Sequence, residues 1–115
     1  MIDELAARIF ATRDMAHMAH WRTASYPEHV ALGDFYEALP GLIDALVEAY
    51  QGQHERIEPF QVQTRKADIR DHLEDDIEWM QAMRDDITGG DPSLLNLLDG
   101  IIACYQKTLY LLSLS

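Results

Sequence analysis

The chain has 115 residues, of which 48 % are hydrophobic and 25 % are charged. This length suits one domain, and the balance is typical of a globular protein rather than a disordered one. Because 20 acidic residues outnumber 9 basic ones, the net charge is −11, and we expect no nucleic-acid partner.

Hydrophobic residues recur at helical spacing along almost the whole chain, which predicts four helices. Each break between them carries a residue that starts or stops a helix. Ser25 is an N-cap followed by Pro27 in the first turn. Pro40 lies inside the second pattern and should kink that helix without ending it. The predicted helices span approximately residues 2–22, 26–51, 64–87 and 92–114.

Four helices of this length in one small domain predict an all-α, four-helix bundle over residues 1–115. The links after the first and third helices are short, so each pair should form an antiparallel hairpin. Residues 52–63, fully stretched, reach about 40 Å, and the second helix is about 39 Å long. A long ferritin-type crossover, up-down-down-up, is therefore possible, and the plain up-down-up-down order remains the alternative.

Membrane and nucleotide functions find no support in the sequence. No stretch is long and apolar enough to predict a transmembrane helix, so we expect no membrane partner. The first residues, MIDELAARIF, lack the basic and apolar segments of a secretory signal, so we expect a cytoplasmic protein. Nucleotide-binding, nucleophile-elbow and dithiol motifs are absent. Cys104 lies in an apolar segment and should be a small buried hydrophobic residue.

Candidate metal ligands lie along the first two predicted helices. On the first helix, His17 and His20 are three residues apart and share one side. His29 lies near the start of the second helix. Further along that helix, carboxylates spaced by seven and four residues share one face: Glu37, Asp44 and Glu48. Imidazole and carboxylate groups together suit iron, manganese or zinc.

The same residues have simpler interpretations. The three carboxylates could be the solvated face of an amphipathic helix. The histidines could pack between helices and bond to backbone carbonyl groups. The segment DIRDHLEDDIE, with His72, Asp75, Asp76 and Glu78, is interpreted as a solvent-exposed acidic face.

Residues 20–50, HWRTASYPEHVALGDFYEALPGLIDALVEAY, resemble the first hairpin of Dps-type miniferritins. That family has a His-Trp pair near the end of its first helix and a second histidine early in the next helix. An Asp-x-x-x-Glu pair follows further along the second helix. The matching residues here are His20 with Trp21, then His29, and finally Asp44 with Glu48.

The resemblance implies an iron ferroxidase site, with one or two iron ions, across a two-fold interface between subunits. His20 and His29 would be nitrogen ligands from one subunit. Asp44 would be a terminal carboxylate and Glu48 a bridging one from the other. His17 and Glu37 are the second choices. At the position four after His29, where the family has a further acidic ligand, this chain has glycine, and the neighbouring Asp34 is the substitute.

The whole chain also resembles a group of short, uncharacterised ferritin-like proteins from phages and environmental sequences. The shared patterns are SYxEHxALxxFYxxL, here residues 25–39, and EAYQG, here residues 48–52. We therefore predict a metal-binding, ferritin-like homodimer or larger oligomer whose partners are itself and metal ions. The alternative is a metal-free helical dimerisation or interaction protein with a vestigial site.

Overall fold

The computed structural model describes all residues, 1–115, and contains helices without any β-strand. This confirms the all-α class predicted from the sequence. No helix combines the length and the apolar character needed to cross a bilayer. Five helices follow one another along the chain: α1 (Ile2–Arg22), α2 (Tyr26–Gln53), α3 (Ile69–Ala82), α4 (Arg84–Thr88) and α5 (Pro92–Ser113).

Side-chain caps fix the starts of α2 and α5. The hydroxyl of Ser25 accepts a hydrogen bond from the backbone N–H of Glu28 at 3.3 Å. The carboxylate of Asp91 accepts one from Leu94 at 3.0 Å. Such caps satisfy N–H groups that have no partner inside the helix. The bounds of α1 are those predicted, and α2 runs through Pro40 without interruption.

The prediction of one helix over residues 64–87 was wrong in two respects. The helix starts later than predicted, and it is interrupted. The helix begins only at Ile69, because the carboxylate of Asp68 caps it by accepting a hydrogen bond from the N–H of Arg70 at 2.9 Å. It breaks at Met83, and the short α4 follows. Gly89, with a φ of 64°, ends α4 in the left-handed conformation that glycine adopts without strain.

The core lies between four helices. Helix α2 packs against α1 and α5, and α3 packs against the same two helices. Cys104 is half-buried, not fully buried as predicted. The largest side chains with almost no exposed surface include Tyr105, Phe35, Leu39, Leu46 and Leu73.

Helices α2 and α3 begin at the same end of the molecule. The guanidinium of Arg70, at the start of α3, contacts the carboxylate of Glu28 at 3.4 Å and donates to the carbonyl of Leu112 at 3.2 Å. The non-helical segment 54–68, which we call the crossover segment, therefore returns along the length of α2 before α3 begins. At about 3.3 Å per extended residue its reach is about 50 Å, enough for this path.

Candidate functional site

His20 and His29 face each other where α1 ends and α2 begins. Nδ1 of His20 lies 2.5 Å from the carbonyl oxygen of His29, and Nδ1 of His29 lies 2.7 Å from the carbonyl oxygen of His20. A carbonyl oxygen only accepts, so both Nδ1 atoms carry hydrogen and donate. In a neutral ring this leaves the lone pair on Nε2, the nitrogen available to a metal.

The two imidazole rings also stack on each other, with centroids 3.6 Å apart and planes inclined by 15°. Because imidazole lone pairs lie in the plane of the ring, those of two nearly parallel rings do not converge on one ion. Each ring can therefore give one nitrogen ligand to a separate ion. Both histidines are half-buried, so each ring is packed on one side and partly open to solvent.

Gly33 provides the space that the His20 ring occupies. A Cβ atom at this position would lie 3.2 Å from Cε1 and 3.3 Å from Nδ1 of His20. That is closer than ordinary van der Waals contact, and the stacked His29 ring limits how far His20 can move away. A side chain here would therefore press on His20.

His17, the second-choice ligand on α1, packs into an aromatic cluster. Its ring stacks on Tyr36 with centroids 4.0 Å apart and lies 4.5 Å from the ring of Trp21. Tyr36 in turn meets His20 edge-to-face at 5.3 Å. Trp21 is 68 % exposed, so the cluster reaches the surface.

The predicted carboxylate ligands lie elsewhere on the chain surface. Glu37, Asp44 and Glu48 are all exposed on α2. Asp44 follows His29 by 15 residues, which is about 22 Å along a helix. One chain therefore brings the three histidines together but keeps Asp44 and Glu48 apart from His29. Within a single chain no group of three or more His, Cys, Asp or Glu side chains could hold a metal ion.

A second polar cluster is buried inside the protein, around Asp76 of α3. Its Oδ2 accepts hydrogen bonds from the hydroxyl groups of Thr12 at 2.5 Å and Tyr105 at 2.8 Å. Its Oδ1 lies 3.4 Å from Nη1 of Arg8. Burial raises the pKa of Asp76, although the two hydroxyl donors and Arg8 act in the opposite direction. Burial and the neighbouring Asp76 together raise the pKa of Tyr105 well above its usual value.

The interpretation of DIRDHLEDDIE as a solvent-exposed face was wrong for two of its residues. Asp76 is 5 % exposed and His72 is 4 % exposed, whereas Asp75 and Glu78 are exposed. Nε2 of His72 donates to the carbonyl of Arg65 at 3.1 Å and ties the crossover segment to α3. A positional signal was present, since the buried positions 69, 72, 73, 76 and 80 follow the spacing of one helix face.

The protein is all-α and gathers imidazole groups at the connection between α1 and α2. We call the stacked pair of His20 and His29 at this connection the histidine joint. Residues 20–112 match the model of a family of unknown function, DUF5856, and the chain belongs to this family. No curated protein and no solved structure matches the chain. The matched residues include His20, His29, Asp44, Glu48 and Asp76.

Proposed function

We propose that the protein binds iron at a site that two copies of the chain build together. His20 and His29 of one copy each supply a nitrogen ligand to a separate iron ion of this site, and Asp44 and Glu48 of the other copy supply carboxylates. The observation that carries the proposal is the pair of Nδ1–carbonyl hydrogen bonds. Metal-binding histidines usually donate their other ring N–H in this way, which fixes the ring and leaves Nε2 for the metal. Manganese and zinc suit the same ligands.

The fold proposed with this function is a ferritin-like four-helix bundle, in which α3 and α4 together form the third member. Support comes from the arrangement of helices, since α2 and α3 both contact α1 and α5. The contact of Arg70 with Glu28, at the starts of α3 and α2, supports a parallel direction for these two helices. A parallel pair would correspond to the up-down-down-up order with a long crossover, as opposed to up-down-up-down.

The exposed face of α2 supports the two-fold arrangement. Suppose that two α2 helices cross in antiparallel fashion and that the two-fold axis passes beside Tyr36 and Glu37, midway between His29 and Asp44. His29 of one copy then meets Asp44 of the other. The exposed residues near this point include the small residues Ala38 and Gly41. Small residues allow two helices to approach closely. Within one chain, about 22 Å separates His29 from Asp44, which prevents a shared site. A two-fold axis would bring His29 of one copy close to Asp44 of the other.

The activity proposed for this site is the oxidation of ferrous iron, which the miniferritin resemblance implies. In that reaction iron is the substrate, and an oxidant such as dioxygen or peroxide takes the electron. The chain would contribute the ligands that hold the iron and the partial exposure that admits the oxidant. Both histidines are half-buried and both carboxylates are exposed, which suits an entry from solvent.

Anaerobic titration with ferrous iron tests the proposal by counting bound iron per chain. The informative variants are Asp44→Asn and Glu48→Gln, because both residues are exposed and neither change should disturb folding. The matched control is Glu74→Gln, an exposed acid on α3. We expect stoichiometric binding by the unmodified chain and the control, with at least a tenfold loss in each α2 variant. Equal binding by all four proteins would contradict the proposal.

A second candidate is a metal-free helical dimerisation protein, and one observation favours it. The reciprocal hydrogen bonds and the ring stack already give His20 and His29 a structural role, because they hold α1 against α2. In this case the exposed face of α2 would bind a second copy without any ion. The protein would then sediment as a dimer at the same concentration with and without a chelator, and would bind no iron stoichiometrically.

A further inference from the structure

A pocket of about 360 Å³ opens between α1, α3 and the crossover segment. It lies about 12 Å along α1 from His20, since eight residues separate that histidine from Thr12. The volume falls within the usual range of small-molecule sites, about 300–1,000 Å³. The residues that line it are mostly polar and include Arg8, Thr12, Gln63, Arg65, His72 and Asp76.

A buried carboxylate with spare hydrogen-bonding capacity lines the inner side of this pocket. Oδ2 of Asp76 already accepts from Thr12 and Tyr105. Its Oδ1 has only Arg8, at the long distance of 3.4 Å. A carboxylate oxygen has two lone pairs, so Oδ1 can accept a further, stronger hydrogen bond. This buried carboxylate therefore favours a ligand that donates a hydrogen bond.

Two guanidinium groups lie nearer to the solvent. They favour a ligand group that carries negative charge and accepts hydrogen bonds. The Arg8 guanidinium is held over the ring of Trp79, 4.5 Å from its centroid. Arg65 pairs with Asp75 at 2.5 Å through one nitrogen, which leaves its other N–H groups for further partners. The side chains of Arg8 and Arg65 are 40 % and 56 % exposed. They present positive charge beside the buried carboxylate in a chain that is acidic overall.

We propose that this pocket binds a small zwitterion of the amino-acid type. Its ammonium group donates to Oδ1 of Asp76, and its carboxylate accepts from Arg8 and Arg65. The opposite charges of an α-amino acid are one carbon apart, which suits the short distance between Asp76 and Arg8. A simple anion would meet the Asp76 carboxylate, and a simple amine would meet the two guanidinium groups. Only a ligand with both charges matches the pocket.

The raised pKa of Asp76 agrees with this assignment. Burial in the cleft disfavours the charged carboxylate, and a bound ammonium group would compensate that cost. Titratable groups perturbed by burial and placed in a cleft are common at functional sites. The site uses none of the residues proposed to bind iron, so the two proposals can fail separately.

The test is isothermal titration of the full chain with each of the standard amino acids. Ethylamine and propionate, which each carry one of the two charges, are the control ligands. We expect at least one amino acid to bind with a Kd of about 10 mM or tighter and both controls to bind at least tenfold more weakly. Amide NMR signals of Thr12, Gln63 and Asp76 should shift in the same titration.

Variants separate the proposed contacts from general effects. Arg65→Gln should weaken amino-acid binding at least tenfold, whereas Arg56→Gln, at an exposed position on the same crossover segment, should not change it. Asp76→Asn keeps the shape of the side chain and should also remove binding, and circular dichroism checks that this variant folds. The proposal is overturned if no amino acid binds, if a control ligand binds equally well, or if Arg65→Gln has no effect.

Discussion

His20 and His29 each donate a ring N–H to the backbone carbonyl of the other, at 2.5 and 2.7 Å. Their rings stack at 3.6 Å, so the end of α1 and the start of α2 are joined by two hydrogen bonds and one aromatic contact. The same bonds leave both Nε2 atoms without a proton when the rings are neutral. One geometry therefore stabilises the connection between the two helices and leaves two ring nitrogens free for the proposed metal.

Removing one partner of this pair should weaken the joint. His29→Ala loses one hydrogen bond and the ring stack, and we expect the free energy of unfolding to fall by about 1–2 kcal/mol. His54→Ala, at an exposed histidine outside the joint, should change it by less than about 0.5 kcal/mol. Urea denaturation of the apo-proteins measures both, and equal effects of the two changes would contradict the structural role.

Two helical glycines should respond in opposite directions to alanine. Gly100→Ala on α5 adds a methyl group with nothing within 4 Å and should stabilise the helix by about 0.5–1 kcal/mol. Gly33→Ala places its Cβ 3.2 Å from the His20 ring, so strain should outweigh the same helix gain. Thermal denaturation should show a higher Tm for the first variant and a lower Tm for the second. A higher Tm for both would show that His20 moves freely.

Replacing the buried Asp76 on α3 should lower the free energy of unfolding more than replacing its exposed neighbour Asp75. Asp76→Ala leaves the hydroxyl groups of Thr12 and Tyr105 without their acceptor, and we expect a loss of about 3 kcal/mol. Asp75→Asn removes only an exposed pair with Arg65, which should cost less than about 1 kcal/mol. Chemical denaturation at neutral pH compares the two variants. A loss for Asp76→Ala no larger than that for Asp75→Asn would refute the buried network.

Asp76 should also change how the free energy of unfolding depends on pH. The folded-state pKa of Asp76 is raised above 3.8, so the folded protein holds this proton more tightly than the unfolded chain. The resulting stabilisation is complete below pH 3.8 and is lost as the pH rises through the folded-state pKa. The stability of the unmodified chain relative to Asp76→Asn should therefore fall with rising pH across this window.

The surface carboxylate of Asp99 is a control for that measurement, because its effect on stability should change with pH in the opposite direction. Two hydrogen bonds from Arg84, at 2.7 and 2.8 Å, lower the pKa of Asp99. Its contribution is present above the ordinary pKa of 3.8 and is lost as the pH falls. The stability of the unmodified chain relative to Asp99→Asn should therefore rise with pH. Trends of the same sign for both comparisons would contradict the assigned causes.

Local signals in the sequence were sufficient for the helices whose ends are set by nearby residues. Ser25 caps α2 as predicted, and Asp91 caps α5 directly before its predicted start at residue 92. The start of α3 was missed because residues 64–67 contain good helix formers, whereas the crossover must stay extended to cover its path. The decisive cap, Asp68, is recognisable only once that path is known.

The buried network could not be found from residue types. Asp76 lies among acids that are mostly exposed, and its partners are 64 and 29 residues away in the sequence, at Thr12 and Tyr105. The histidine joint was easier, because His20 and His29 flank one short loop that brings them together. The distance from His29 to Asp44 could also be calculated from the helix rise. The shared site that we propose requires a second copy of the chain, which the sequence alone does not supply.

The most direct test of the shared iron site mixes two inactive variants. One is His29→Ala, and the other combines Asp44→Asn with Glu48→Gln, so neither forms a complete site alone. Unfolding and refolding an equal mixture makes mixed dimers in which one of the two sites has both intact halves. We predict that anaerobic ferrous iron binding recovers to roughly a quarter of that of the unmodified protein, because about half of the dimers are mixed. A mixture that binds no more iron than either variant alone would contradict a site built from two chains.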